Sequence, residues 1–208
     1  MPYGYLGQNQ PNQTVSNSGV FSITDVAELQ SQGKLGGSLE LIEEQTFTNS
    51  SADFVSIQEN KYDVLKFEFV DLTVGTDEDL YFRVSNDNGS SFIAGTNYQY
   101  ASQRGYADGT FTEKRATGQS NVYVAGRVDA NNLMSGYMYL YNAGNSSKYT
   151  FGTFHFTYFG TTGYAMQFGG LVYANAEIIN GVRFGFTTSL NSLTGTIKLY
   201  GVKQIWVT

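Results

Sequence analysis

His155 is the single histidine of the chain, and it stands inside Phe154-His155-Phe156. One histidine is enough for a Ser-His-Asp relay. No serine lies in a nucleophile-elbow motif, however, and a strand histidine between aromatics is ordinarily a packed or surface residue. Glu43 and Glu44 are adjacent carboxylates. A strand sends neighbours to opposite faces, so these two do not converge on one substrate. Two distant acids could still form a glycosidase pair, at a separation the sequence does not give. Asp77-Glu78-Asp79 and Asn86-Asp87-Asn88-Gly89 hold oxygen donors of the kind calcium takes. Neither has the spacing of an EF-hand loop, and both read as water-facing turns. No catalytic residue, cofactor or metal site is expected. P-loop, dinucleotide and metalloprotease motifs do not occur.

The aromatic residues are the stronger signal, with Tyr 16, Phe 15 and Trp 1. Tyr98, Tyr100, Tyr106, Tyr137, Tyr139 and Tyr141 form an apparent cluster. Tyr137, Tyr139 and Tyr141 share one face of an alternating strand. Such a face stacks on sugar rings or fills a core or subunit interface. These three are the candidate glycan or subunit contacts, with Trp206 as a further member of a sugar platform.

The elements that would position them are strands. Leu65, Phe67 and Phe69 alternate with Lys66 and Glu68, and Leu80, Phe82 and Val84 alternate around Tyr81 and Arg83. Asn88-Gly89 reads as a hairpin turn. Further strands are expected over 97–102, 121–126, 136–141, 149–159, 164–168, 181–187 and 195–202. Eight to ten short strands without interleaved helices predict an antiparallel β-sandwich, with a jelly roll as the expected form. Ahead of them, Ser22 or Thr24 can cap a two-turn helix that ends at Gly33, with Val26 and Leu29 on one face. Residues 1–20 have no period and read as an extended arm. The expected division is an arm and helix over 1–45 and a β head over 46–208.

Composition limits the partners. The chain has 208 residues, a length that suits one β domain. Cys 0 excludes disulfides, thiolate metal sites and a cysteine nucleophile. A net charge of -6 without a basic stripe argues against nucleic acid. No apolar run is long enough for a membrane helix, and Met1-Pro2-Tyr3-Gly4 does not open a secretory signal. Asn12-Gln13-Thr14 and Asn49-Ser50-Ser51 match glycosylation acceptors in form only.

The run Asn17-Ser18-Gly19-Val20-Phe21-Ser22-Ile23-Thr24-Asp25-Val26 and the run Gly36-Gly37-Ser38-Leu39-Glu40-Leu41-Ile42-Glu43-Glu44-Gln45 resemble virion structural proteins of marine tailed phages, cyanophages among them. So do Glu59-Asn60-Lys61-Tyr62-Asp63-Val64, Tyr98-Gln99-Tyr100-Ala101, the stretch from Tyr139 to Tyr149, and Gly195-Thr196-Ile197-Lys198-Leu199-Tyr200-Gly201. The likeness covers most of the chain. It implies a non-enzymatic capsid decoration or knob protein, or a tail-fibre module that reads a host glycan. It further implies a homo-oligomer, a trimer by analogy, made in the host cytoplasm and carried on the virion against major capsid or tail proteins. The arm of residues 1–45 would be the anchor. No catalytic residue carries over.

Overall fold

Period-two alternation along short aromatic and β-branched runs produces strands half buried on one face. A computed structural model describes residues 38–47, 50–186 and 194–202, preceded by Ile23, Thr24, Val26 and Ala27. The chain divides into two units, residues 1–40 and 41–208. In the first, those four residues are helical and exposed. The rest of the expected helix and the arm lie outside the described residues.

The described residues form twelve strands: β1 (Leu39–Phe47), β2 (Ser51–Phe54), β3 (Val64–Thr73), β4 (Glu78–Ser85), β5 (Tyr98–Tyr106), β6 (Phe111–Gln119), β7 (Val122–Val128), β8 (Met134–Tyr141), β9 (Thr150–Gly160), β10 (Gly163–Tyr173), β11 (Gly181–Phe186) and β12 (Thr194–Val202). The count exceeds the eight to ten expected. β1, β2 and β6 were not among the expected strands, and β1 runs through the boundary drawn at residue 45. Among the described residues no helix is long and apolar enough to cross a membrane.

The strands form one nearly closed, barrel-like sheet. One stretch runs β1-β12-β3-β8-β9-β10-β5-β6, and the other runs β7-β4-β11-β2. They meet where Val128 of β7 pairs with Gly160 of β9, the one register pair between those strands. The ladders are nested: β1 lies beside β12, β2 beside β11, β3 beside β8 and β4 beside β7. β5–β6 and β9–β10 are hairpins added to the longer stretch.

The core lies between the two stretches. Phe184 of β11 is its centre. Its ring meets Phe67 at 5.0 Å and Phe69 at 4.8 Å, both on β3, and Phe82 of β4 at 5.6 Å. Phe67 and Phe69 are contributed by the alternating face read from the sequence. Tyr98 of β5 reaches across, accepting from Val84 N at 3.0 Å and donating to Ile93 O at 2.9 Å. Desolvation drives its phenol pKa far above the usual value.

The Asn88-Gly89 turn does not close a hairpin. β4 pairs with β7 and β11, whereas the next strand, β5, joins β10 and β6. Both residues do take the left-handed conformation expected of them, at φ 56° and 78°. The local fold is set by Asp87. Its carboxylate accepts from Ser91 Oγ at 2.6 Å, Ser91 N at 2.9 Å and Ser85 Oγ at 2.7 Å. Those bonds turn the chain back on itself and release β5 to the other stretch.

Candidate functional site

β8, β9 and β10 alternate cleanly between core and exterior. On β9, Thr150, Gly152, Phe154, Phe156, Tyr158 and Gly160 point inward, and Phe151, Thr153, His155, Thr157 and Phe159 point out. Register then fixes which outward residues are neighbours. One row reads Glu68, Tyr137, His155, Phe168, Gln103 and Glu113 across β3, β8, β9, β10, β5 and β6. The next reads Lys66, Tyr139, Thr153, Gly170, Ala101 and Arg115.

Tyr137, Tyr139 and Tyr141 therefore stand on the outer face of the sheet, and the reading that they fill the core does not hold. Tyr137 packs edge-on to Tyr139 at 5.7 Å, and Tyr139 stacks on Tyr141 at 6.4 Å. Tyr98, Tyr100 and Tyr106 do not join them. On β5 the even-numbered residues face inward, so the apparent tyrosine cluster is split between the two sides of the sheet. Trp206 and both glycosylation matches at Asn12 and Asn49 lie outside the described residues.

The outer face is an aromatic surface. Tyr137, Phe151, Phe159, Tyr164 and Phe168 are each 40–51% exposed. Not one outward position on β8, β9 or β10 is Asp, Glu, Lys or Arg. Charges begin at the margins, with Lys66, Glu68 and Lys198 on one side and Glu113 and Arg115 on the other. A trough of about 880 Å³ crosses the face. Ala101 and Gly170 leave its floor bare, Tyr141 and Phe151 form one wall, and Arg115 and Thr117 form the other.

His155 sits in the middle of this surface, edge-on to Tyr137 at 5.9 Å and to Phe168 at 6.2 Å. Its Nε2 is buried and has no hydrogen-bond partner among the described residues. The nearest carboxylate in its row is Glu68, with Tyr137 between them. This arrangement holds an imidazole by packing and brings no acid to it.

The other candidates are spent locally. Glu44 faces Lys198 at 3.5 Å, while Glu43 bonds Gln45 on the same side of β1, so the two glutamates diverge as strand geometry requires. Asp77 accepts from Ala130 N at 3.0 Å and Asp79 from Arg127 N at 2.5 Å, which ties the start of β4 and the residue before it to β7 and the loop that follows it. Asp87 is held at about 2, chiefly by the Ser91 hydroxyl and then by the Ser91 amide and Ser85. Among the described residues, no group of three or more His, Asp or Glu is placed to hold a metal ion.

A buried polar network lies behind the outer face, and composition did not reveal it. Arg104 is 4% exposed. Its Nε and Nη2 donate to Gln167 Oε1 at 3.2 and 3.1 Å, and its Nη1 donates to Tyr106 Oη at 3.2 Å. Tyr158 Oη also donates to Gln167 Oε1, at 3.3 Å, and Gln167 Nε2 donates to Ser102 Oγ at 3.1 Å. Burial pushes the Tyr158 phenol up to about 12. Gly126 makes room: a Cβ there would lie 1.7 Å from Arg104 Nη2. The sequence signal was available, because Arg104 and Gln167 both occupy inward parity positions on their strands. Comparison with protein-family models, with curated proteins and with solved structures gave no match.

Proposed function

We propose that this chain is a non-enzymatic structural protein of a phage particle surface, acting as a self-associating decoration or knob subunit. The observation that carries the reading is the charge-free aromatic face of β8, β9 and β10. Interface centres are depleted of charge and enriched in aromatics, with polar rims around them. The virion context is supported by the resemblance of the sequence to marine phage structural proteins. The strand order supports a jelly roll. In that fold a long two-stranded ribbon rolls up so that its ladders nest, as β1·β12, β2·β11, β3·β8 and β4·β7 do. β5–β6 and β9–β10 then read as two hairpins that widen one wall and create the aromatic face. Residues 1–45 are the proposed anchor to capsid or tail proteins.

The test is detection of the full chain in density-purified particles of the phage that encodes it, by mass spectrometry and antibody labelling. The expected result is a many-copy component on the particle surface. A chain abundant in infected lysate and absent from particles overturns the proposal. Particles decorated at normal occupancy by a chain lacking residues 1–35 would overturn the anchoring part alone.

The trough favours a second reading, a receptor-binding module for a host cell-surface glycan. Tyr141 and Phe151 offer stacking surfaces, and Gln99, Thr117 and Arg115 offer hydrogen bonds to hydroxyls. Glycan arrays and host-cell binding decide it. Saturable binding lost in Tyr141→Ala supports this reading, and silence on both assays removes it.

A further inference from the structure

We infer that the outer face of β8, β9 and β10 pairs with the same face of a second copy of this chain, about a twofold axis that runs along β9. The inference specifies the self-association proposed above and does not need the virion context, because it rests on the register, exposure and charges of the sheet's outer face. A twofold along β9 lays β8 of one copy over β10 of the other, β3 over β5, and β12 over β6. Residues of one row stay in that row, so each pairing can be read directly.

Three kinds of complementarity result. In shape, Tyr139 of one copy stands over Gly170 of the other, the bare floor of the trough. In aromatic packing, Tyr137 stands over Phe168 in its own row. In charge, Lys198 extends the Tyr137 row beyond Glu68 and so meets Glu113, which ends that row on β6. Tyr200 extends the Tyr139 row beyond Lys66 and meets Arg115, a cation over a ring. Each contact occurs twice, as an isologous interface requires. Glu113 and Arg115 pair with each other within one copy at 3.6 Å, yet their side chains are 67% and 81% exposed and open to a partner. Lys198 pairs with Glu44 of its own copy at 3.5 Å and would divide itself between that carboxylate and Glu113 of the second copy.

The opposite arrangement fails. Edge-to-edge pairing of β6 centred on Lys114 would set that lysine against itself, and charged edge strands resist such pairing. The face is also large enough. Strands about 4.8 Å apart from β12 to β6, over three rows, cover roughly 600–700 Å² per copy, within the standard interface class of about 1,200–2,000 Å² in total. The twofold contact departs from the trimer that the phage resemblance implies.

The test uses the full chain in isolation. Sedimentation velocity over a concentration series should give a monomer–dimer equilibrium. Gly170→Val fills the trough; a Cβ there would come no closer than 3.6 Å to other atoms, and far-ultraviolet dichroism of the variant checks that the fold is kept. It should raise the dimer dissociation constant roughly tenfold or more. Lys198→Glu and Glu113→Lys should each weaken the dimer roughly two- to fivefold, and together restore it. Because the chain has no cysteine, Thr153→Cys places a unique thiol beside the axis. Facing sheets lie about 10 Å apart, a distance that a short bis-maleimide spans. It should link Thr153→Cys into dimers and leave Asp108→Cys unlinked. A monomer at every concentration overturns the inference, as does a trimer. So does a dimer that ignores Gly170→Val and escapes the Thr153→Cys link. A monomer whose glycan binding is lost in Gly170→Val overturns it in favour of the sugar. Failure here leaves particle association standing, and absence from particles leaves the dimer standing.

Discussion

Single side chains carry most of the specificity of this core. Phe184 touches rings from β2, β3 and β4, so truncation removes contacts that join both stretches of the sheet. Phe184→Ala should cost about 3–5 kcal/mol, read from urea unfolding. Gln167 is the shared acceptor for Arg104 and Tyr158. Gln167→Leu leaves a buried guanidinium with one side-chain acceptor and should cost about 2–4 kcal/mol in the same assay. Asp87 makes stability pH-dependent with a definite sign. Its native pKa of about 2 lies below the ordinary 3.8, so its contribution is complete above about 4 and is lost as pH falls toward 2. Asp87→Asn should flatten the acid limb of the stability profile in that window. Tyr158 acts at the other end. Its phenol is raised from 10.0 to about 12, so its contribution is complete below 10 and is lost between 10 and 12. Ultraviolet titration should show a late-ionising phenol that Tyr158→Phe removes.

Elements were legible in proportion to how one-sided they are. β8 and β9 alternate along their length and β3 does so up to its bulge at Val70–Asp71, and each was expected within a few residues. β6 was missed because Phe111-Thr112-Glu113-Lys114-Arg115-Ala116-Thr117-Gly118-Gln119 has no apolar face to alternate. It is an edge strand, exposed on both sides and held by β5 alone. β2 is too short to show a period. The hairpin expected at Asn88-Gly89 failed for a different reason. Turn chemistry reports local backbone conformation, and which strand pairs next is decided by burial across the sheet. The candidate site was half legible. Parity grouped Tyr137, Tyr139 and Tyr141, but their neighbours on β9 and β10 come from register, which is a tertiary property. Amide exchange should follow the same division. β6 amides should exchange orders of magnitude faster than those of β3, which lies between β12 and β8. Comparable protection in the two strands would contradict the edge assignment.

At the scale of the molecule, the β unit is expected to stand without what precedes it. Residues 1–40 form a separate unit, and removal of residues 1–35 spares the whole of β1. Thermal unfolding of the shortened chain should match that of the full chain within about 2 °C, equivalent to about 0.5–1 kcal/mol for a domain of this size. A larger loss would mean that the leading segment contributes to the core.

The lone backbone pair between Val128 and Gly160 gives the molecule a spine with one stitch. Away from that seam the two covers are joined by core rings, Phe184 against Phe67 and Phe69, rather than by a ladder. Agents that loosen ring packing should part the covers while each page stays bound. Near-ultraviolet dichroism should then fade at lower denaturant than the far-ultraviolet signal. The opened form would present the Phe67, Phe69 and Phe184 cluster to solvent as a sticky surface. Any partner that covers the seam would hold the two covers together.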